Sequence, residues 1–373
     1  MFSGLSKLAD KSFVLGFLLP ALIGVISFLA LNRDLKSFSA LFKDTMHDKG
    51  IADVTLLLLF VWTVAVLLMA GSHWMYRVLE GYAWPLTHPR LLKLQIARRQ
   101  SQRQEIRNVY TALSEVHPAL DELCRLSQEN RLNRQRLLDQ LNRKYLRLTR
   151  LHALQYPEEP SLVLPTRFGN VLRSFEMYAG TVYGVESIHT WPRLLAVIPK
   201  EYQSILADAR APVDFFVSLV FISFALGVTA LMRGAACLFN AQADSAATWT
   251  FTIVAAIIFA FVRLFYLAAL PSAVAWGETV KSAFDMYLPA LASALGYELP
   301  ETLEERRRFW DALANQFLYH EAIQPELWLK ITKSPLKAGR PAKETAPAEN
   351  GDEENDAADG AASDHGGAQI GPR

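Results

Sequence analysis

Leu162-Val163-Leu164-Pro165-Thr166-Arg167-Phe168-Gly169-Asn170-Val171-Leu172-Arg173, then Tyr183-Gly184 and Trp191-Pro192-Arg193-Leu194, stand near the middle of a chain of 373 residues. They lie in a polar segment, residues 73–212, with one pair of apolar runs before it and another after it. That order is the pattern of a membrane protein with a polar, helical middle. Within the stretch, Thr166 suits a helix N-cap before Arg167. Phe168, Val171, Leu172 and Phe175 then share one face. Gly169 in the first turn lets another backbone come close. Tyr183-Gly184 reads as a helix exit with a glycine terminator. Trp191 precedes a proline, which steers it toward extended or turning backbone.

The chain is 51% hydrophobic and 20% charged, and the two classes are segregated. A net charge of +1 supports no polyelectrolyte argument. Cys124 and Cys237 share no motif, which leaves a disulfide framework, a zinc site and a redox pair without support.

Outward from the centre, four apolar runs are each long enough to cross about 30 Å of hydrocarbon as a helix. The first covers about residues 13–32 and the second 54–72. The third covers 213–239 and the fourth 249–270. The first run exceeds the 7–15 apolar residues typical of a cleaved signal, and no small-x-small site follows, so it reads as a retained span. Pro20 kinks it, which a span tolerates where a neighbouring helix satisfies the freed carbonyl. Residues 33–53 connect the first two runs, as a short interfacial helix or a loop. After the second, His73-Trp74-Met75-Tyr76-Arg77 reads as an interfacial belt.

The expected fold is therefore all-α and integral to a membrane, with four transmembrane helices in two hairpins flanking a cytoplasmic helical domain. The expected divisions are 1–72, the N-terminal hairpin; 73–212, the cytoplasmic domain; 213–270, the C-terminal hairpin; 271–333, helices docking on that domain; and 334–373, a disordered acidic tail. Lys and Arg number 20 between His73 and Pro212, against none in residues 240–248. The positive-inside rule then puts the middle domain and both termini in the cytoplasm, at the inner membrane. The four basic residues of the first connector, Arg33, Lys36, Lys43 and Lys49, run against that assignment.

In the polar segment, Ile106, Val109, Tyr110, Leu113 and Val116 recur at helical spacing, and Pro118 suits the start of another helix. Leu138, Leu141, Tyr145, Leu148 and His152 step 3, 4, 3, 4. This suggests an amphipathic helix packing on the domain core more than a coiled coil. The dense arginines here read as a solvated face beside an anionic leaflet, not as a nucleic-acid surface. Near the C-terminus, Pro300-Glu301-Thr302 opens a final helix with Trp310, Leu313 and Phe317 as its stripe.

No phosphate loop, dinucleotide fingerprint, His-Glu-x-x-His, paired cysteines or Gly-x-Ser-x-Gly occurs in the chain. No catalytic residue, cofactor or metal site is therefore expected. Charges within spans are the default functional suspects. Asp214 at the start of the third span and Arg263 in the fourth are close enough in an antiparallel pair to meet, and Arg233 lies near the third span's far end. Arg167, Asn170, Arg173 and Arg193 either converge on an anion or fix turns and helix ends.

Glu80-Gly81-Tyr82 with Trp84-Pro85, together with the central stretch quoted above, resembles a group of uncharacterised bacterial multi-pass membrane proteins. It departs from their pattern at Ala83, which separates Tyr82 from Trp84. The resemblance spans about residues 54–235 and implies four spans and a helical cytoplasmic insert, with no activity to transfer. The expected function is a membrane-anchored scaffold, sensor or effector subunit, with the lipid bilayer and a protein partner or a second copy as its contacts. An oligomeric channel, or a membrane enzyme acting on lipid or phosphate, are the alternatives.

Overall fold

The structure is a computed structural model that describes residues 11–32, 51–116, 128–239 and 245–320. The helices are α1 (Lys11–Leu31), α2 (Ile51–Glu80), α3 (Pro89–Val116), α4 (Gln128–Gln155), α5 (Arg167–Glu176), α6 (Tyr178–Tyr183), α7 (Ser187–Val197), α8 (Lys200–Phe239), α9 (Ser245–Ala294) and α10 (Leu303–Tyr319). No strand occurs among the described residues. Four helical segments are long and apolar enough to cross a membrane: Lys11–Leu31, Val54–Glu80, Lys200–Cys237 and Thr248–Ala294.

Within α1 the residues Val14–Leu18 form a π turn, closed by the Leu19 N–H on the Val14 carbonyl. The widening coincides with Pro20, which has no N–H to contribute to the ladder. The donor comes from a neighbouring helix, as expected: Ser218 Oγ of α8 bonds the Gly16 carbonyl at 3.1 Å.

Contacts give the directions of the long helices. Lys11 meets Asp208, Gly16 meets Asp214, Gly24 meets Ile222, and the Leu31 carbonyl meets Arg233. Both sets of numbers rise together, so α1 and α8 run the same way. Trp74 packs on Phe221 and Tyr76 bonds Asp214, so α2 runs opposite to α8. Gly227 lies against Phe259 and Gly234 against Phe251, so α9 also runs opposite to α8.

The helices run past the expected span ends. The belt at 73–77 does not end α2; it is helical to Glu80, with Met75 and Tyr76 buried, and the chain turns only at Gly81 (φ 94°). α8 is one helix of 40 residues through Pro212, and α9 one of 50 residues through Pro271 and Pro289. At 1.5 Å per residue α9 is about 75 Å long, more than twice a bilayer's hydrocarbon core. Composition sets the limits of an apolar run, but only a cap or an incompatible backbone ends a helix.

The polar ends of α8 and α9 organise the rest. Phe175 of α5 packs on Trp276 and against Gly277, and Trp191 of α7 packs on Phe284. α10, capped by Thr302, buries Phe309, Trp310 and Leu313 in the same cluster. Pro192 lies inside α7, contrary to the extended geometry expected before it. The Glu186 N-cap, which accepts from the Ile188 and His189 N–H groups, and the complete burial of Leu194 outweigh the local preference of Trp191.

α3 and α4, 28 residues each, pack along one another as an antiparallel arm. Tyr110 contacts Tyr145, Glu105 pairs with Lys144, and Gln102 bonds Gln155. Residues 95, 99, 102, 106, 109, 113 and 116 of α3 are shielded, as are 134, 138, 141, 145, 148 and 152 of α4. This is a heptad seam, so α4 covers its stripe chiefly with α3 and not with the domain core. Residues 33–50 of the first connector, the start at Pro118, Cys124, residues 240–244, the part of 271–333 beyond His320 and the tail lie outside the described residues.

Candidate functional site

Asp214 is 7% exposed at the meeting of α1, α2 and α8. Tyr76 Oη donates to its Oδ1 at 2.7 Å, and Arg210 Nε lies 3.3 Å from Oδ2. The Arg210 guanidinium also sits over the rings of Tyr76 (5.6 Å) and Trp276 (5.5 Å). A Cβ on Gly16 would stand 3.0 Å from Asp214 Cβ, so glycine permits the approach. The carboxylate is thus paired, hydrogen-bonded and covered. Arg263 does not join it. It is exposed on α9 and has no ion pair among the described residues. Arg233 bonds the Leu31 carbonyl at the end of α1 and lies 4.5 Å over the Phe251 ring.

Arg167, Asn170, Arg173 and Arg193 do not converge on one point. Asn170 is fully buried and pins the entry to α5. Its Nδ2 donates to the carbonyls of Leu164 (2.9 Å) and Thr166 (2.8 Å), and its Oδ1 accepts from the Leu164 N–H (2.7 Å). Arg173 bonds Tyr82 Oη and pairs with Glu176 at 3.6 Å. Arg193 donates to the His189 carbonyl at 2.6 Å and stacks 3.7 Å over Phe317 of α10. The two sequence landmarks form a single joint instead. Thr166 Oγ1 accepts from the Gly169 N–H and donates to the Leu79 carbonyl at 2.5 Å. Gly169 lies on the Glu80 backbone, and Pro165 on Gly81.

Of the four, Arg167 is the one that lines a cavity. An apolar groove of about 390 Å³ is lined by Leu151, Leu154, Val171, Leu267, Leu270 and Val274, with Arg167, Gln155 and Tyr156 at its polar side. A second recess of about 280 Å³ shares those three residues and adds Arg98, Ser101 and Gln102. No acidic side chain lines either cavity. Beside the recess the seam of the arm turns polar. Tyr156 Oη donates to Gln95 Oε1 at 3.2 Å, and Arg103 Nε donates to His152 Nε2 at 3.3 Å.

Arg99 is 3% exposed. It donates to the carbonyls of Pro157 and Glu158, and its Nε has no partner. Burial, and then Arg103, push its guanidinium below the usual pKa. Burial raises the Tyr156 hydroxyl, against the opposing pull of Arg167, Arg98 and Arg99. His152 is held at about 4, first by burial and then by Arg103 and Arg99.

Sequence reading missed this cluster by treating every arginine here as solvated. The signal was the position of Arg99: it occupies the same seam as Ile106, Val109 and Leu113, where a cation is out of place. Among the described residues no group of His, Cys, Asp and Glu has the arrangement to hold a metal ion. Compared with family models, curated proteins and solved structures, the chain matches none.

Proposed function

We propose that the protein is a membrane-anchored scaffold, sensor or effector subunit that engages a protein partner through the α3–α4 arm. In this reading two helical hairpins, α1–α2 and α8–α9, cross a bacterial inner membrane, with both termini and the polar helical domain in the cytoplasm. The alternation of directions supports it, since α1 and α8 run one way and α2 and α9 the other. The charge asymmetry and the suggested likeness to bacterial multi-pass proteins point the same way.

The arm carries the functional part of the proposal. It is about 40 Å long by helix geometry. It is held together by its own seam and keeps Leu137 (43%) and Leu146 (58%) exposed. Nine residues apart, they lie on opposite flanks of α4, and each offers a separate anchor point for another helix or groove. The test places a photo-crosslinking residue at 137 or 146 of the full-length protein in its native membrane, with position 188 on α7 as control. A discrete protein adduct from the arm alone supports the reading. The absence of any arm adduct, or the same adducts from position 188, sinks it.

Exposed Arg263 favours a second reading, an oligomeric channel in which a neighbouring copy covers that face. Its test is the mass in mild detergent. A ring of four or more copies, with ion flux altered by Arg263→Gln, establishes the channel; a monomer or dimer removes it.

A further inference from the structure

The groove and the recess adjoin, an apolar and a cationic half with Gln155, Tyr156 and Arg167 common to both linings. The apolar half is walled by Leu267, Leu270 and Val274 of α9. These residues extend a face of α9 that passes through Arg263 and exposed Leu264, on the apolar stretch of the helix. The cationic half holds Arg98 and Arg167 with the donors Ser101 and Gln102. Behind it, Arg99 is buried without a carboxylate. Burying a cation with only carbonyl acceptors is costly, and an anion at the recess offsets that cost electrostatically. A site of about 390 Å³ falls within the usual range of ligand cavities, about 300–1,000 Å³. Its occupant must therefore be anionic at one end and apolar at the other, and must reach the cleft from the apolar belt.

We propose that this cleft binds one anionic phospholipid of the surrounding bilayer, its phosphate held by Arg98 and Arg167 and an acyl chain laid between Leu154, Val171, Leu267, Leu270 and Val274. Two guanidiniums match the phosphate oxygens, and Ser101 and Gln102 add neutral donors. Nothing acidic in the lining repels the headgroup. The inference rests on the membrane placement and is independent of what the arm binds.

The test uses the full-length protein, delipidated in a zwitterionic detergent. Dioleoyl phosphatidylglycerol is titrated and the bound lipid is counted by native mass spectrometry. Dioleoyl phosphatidylcholine and sodium phosphate serve as comparison probes. Arg98 is exposed, so Arg98→Gln leaves the fold intact. Arg136→Gln removes the same charge elsewhere on the arm, and Val274→Trp fills the groove.

The expected result is a single phosphatidylglycerol per chain, at least about fivefold weaker in Arg98→Gln and lost in Val274→Trp. Binding is unchanged in Arg136→Gln, and phosphatidylcholine is not retained. Equal weakening by Arg136→Gln overturns the proposal in favour of general surface attraction. Displacement by sodium phosphate alone overturns it in favour of a soluble phosphorylated ligand. Equal retention of phosphatidylcholine removes the headgroup site. Failure of the membrane placement itself is distinguishable, because the protein would then stay monodisperse without detergent.

Discussion

The charged clusters at Asp214 and at Arg99 are built differently. At Asp214 a carboxylate meets a guanidinium and a phenol, and all three come from long apolar helices. At Arg99 a guanidinium meets only backbone carbonyls, with Arg103 and His152 as neighbours. The first cluster is complete within the chain, so it acts as a fastener between α1, α2 and α8. The second is electrostatically incomplete, which is the property of a site that receives its counter-charge from outside. Asp214, an acidic group in an apolar helix, was the more suspect residue by sequence, yet the structure makes it the less available one.

That contrast can be broken in four ways. The largest effect is expected from Asp214→Ala, which strands Arg210 and Tyr76. Arg210 is half-exposed and stays partly solvated, so the loss is less than for a fully buried pair, about 2–3 kcal/mol. Thermal unfolding in detergent should show this loss, and a variant that melts with the wild type would remove the fastener. Next comes the joint between α5 and the end of α2. Gly169→Val drives a side chain into the Glu80 backbone, whose Cα would lie 2.9 Å from the new Cβ. A cost of about 1–3 kcal/mol is expected, read as a lower denaturation midpoint; no change would mean the two landmarks merely touch.

The third effect is pH-dependent. His152 is held at about 4 against an ordinary 6.5, so the unfolded chain takes up this proton first as pH falls. Its contribution is complete above pH 6.5 and is lost as pH drops toward 4, by about 1 kcal/mol after allowing for solvent screening. Hydrogen exchange of the arm base at pH 7 and pH 5 measures this, and His152→Gln should flatten the difference. The smallest effect is expected from Arg99→Met, which exchanges an uncompensated cation for an apolar side chain of similar length. Stability should stay within about 1 kcal/mol of wild type. A loss as large as that of Asp214→Ala would show that the two clusters are not different in kind.

Features decided within a few residues were legible in the sequence. Thr166 as a cap, Gly184 in a left-handed exit at φ 76° and the need for a donor near Pro20 all follow from local backbone chemistry. The apolar runs marked the four long helices for the same reason. What covers an amphipathic stripe is a matter of tertiary pairing, and periodicity does not name the partner. The stripe of Leu138, Leu141, Tyr145 and Leu148 therefore suggested the domain core when its cover is α3. Arg210, four residues before Asp214 on the same helix, was within reach of a simple spacing argument. A third span placed at 213–239 leaves it outside, whereas α8 continues without interruption from Lys200.

The uninterrupted length of α9 has a mechanical consequence. One rod lies among apolar helices at its first half and inside the polar domain at its second, where Asp285 accepts from Tyr178 and Tyr183. The rod has no loop between its halves, and Pro271, which leaves the Leu267 carbonyl without its helix donor, is where bending concentrates. With about 35 Å of helix beyond Pro271, a tilt of about 10° at one end carries the other sideways by about 6 Å. If the apolar half lies in a bilayer as proposed, a change in bilayer thickness that tilts it is passed on to α6 and α7, which contact Asp285 and Phe284 beyond Pro271.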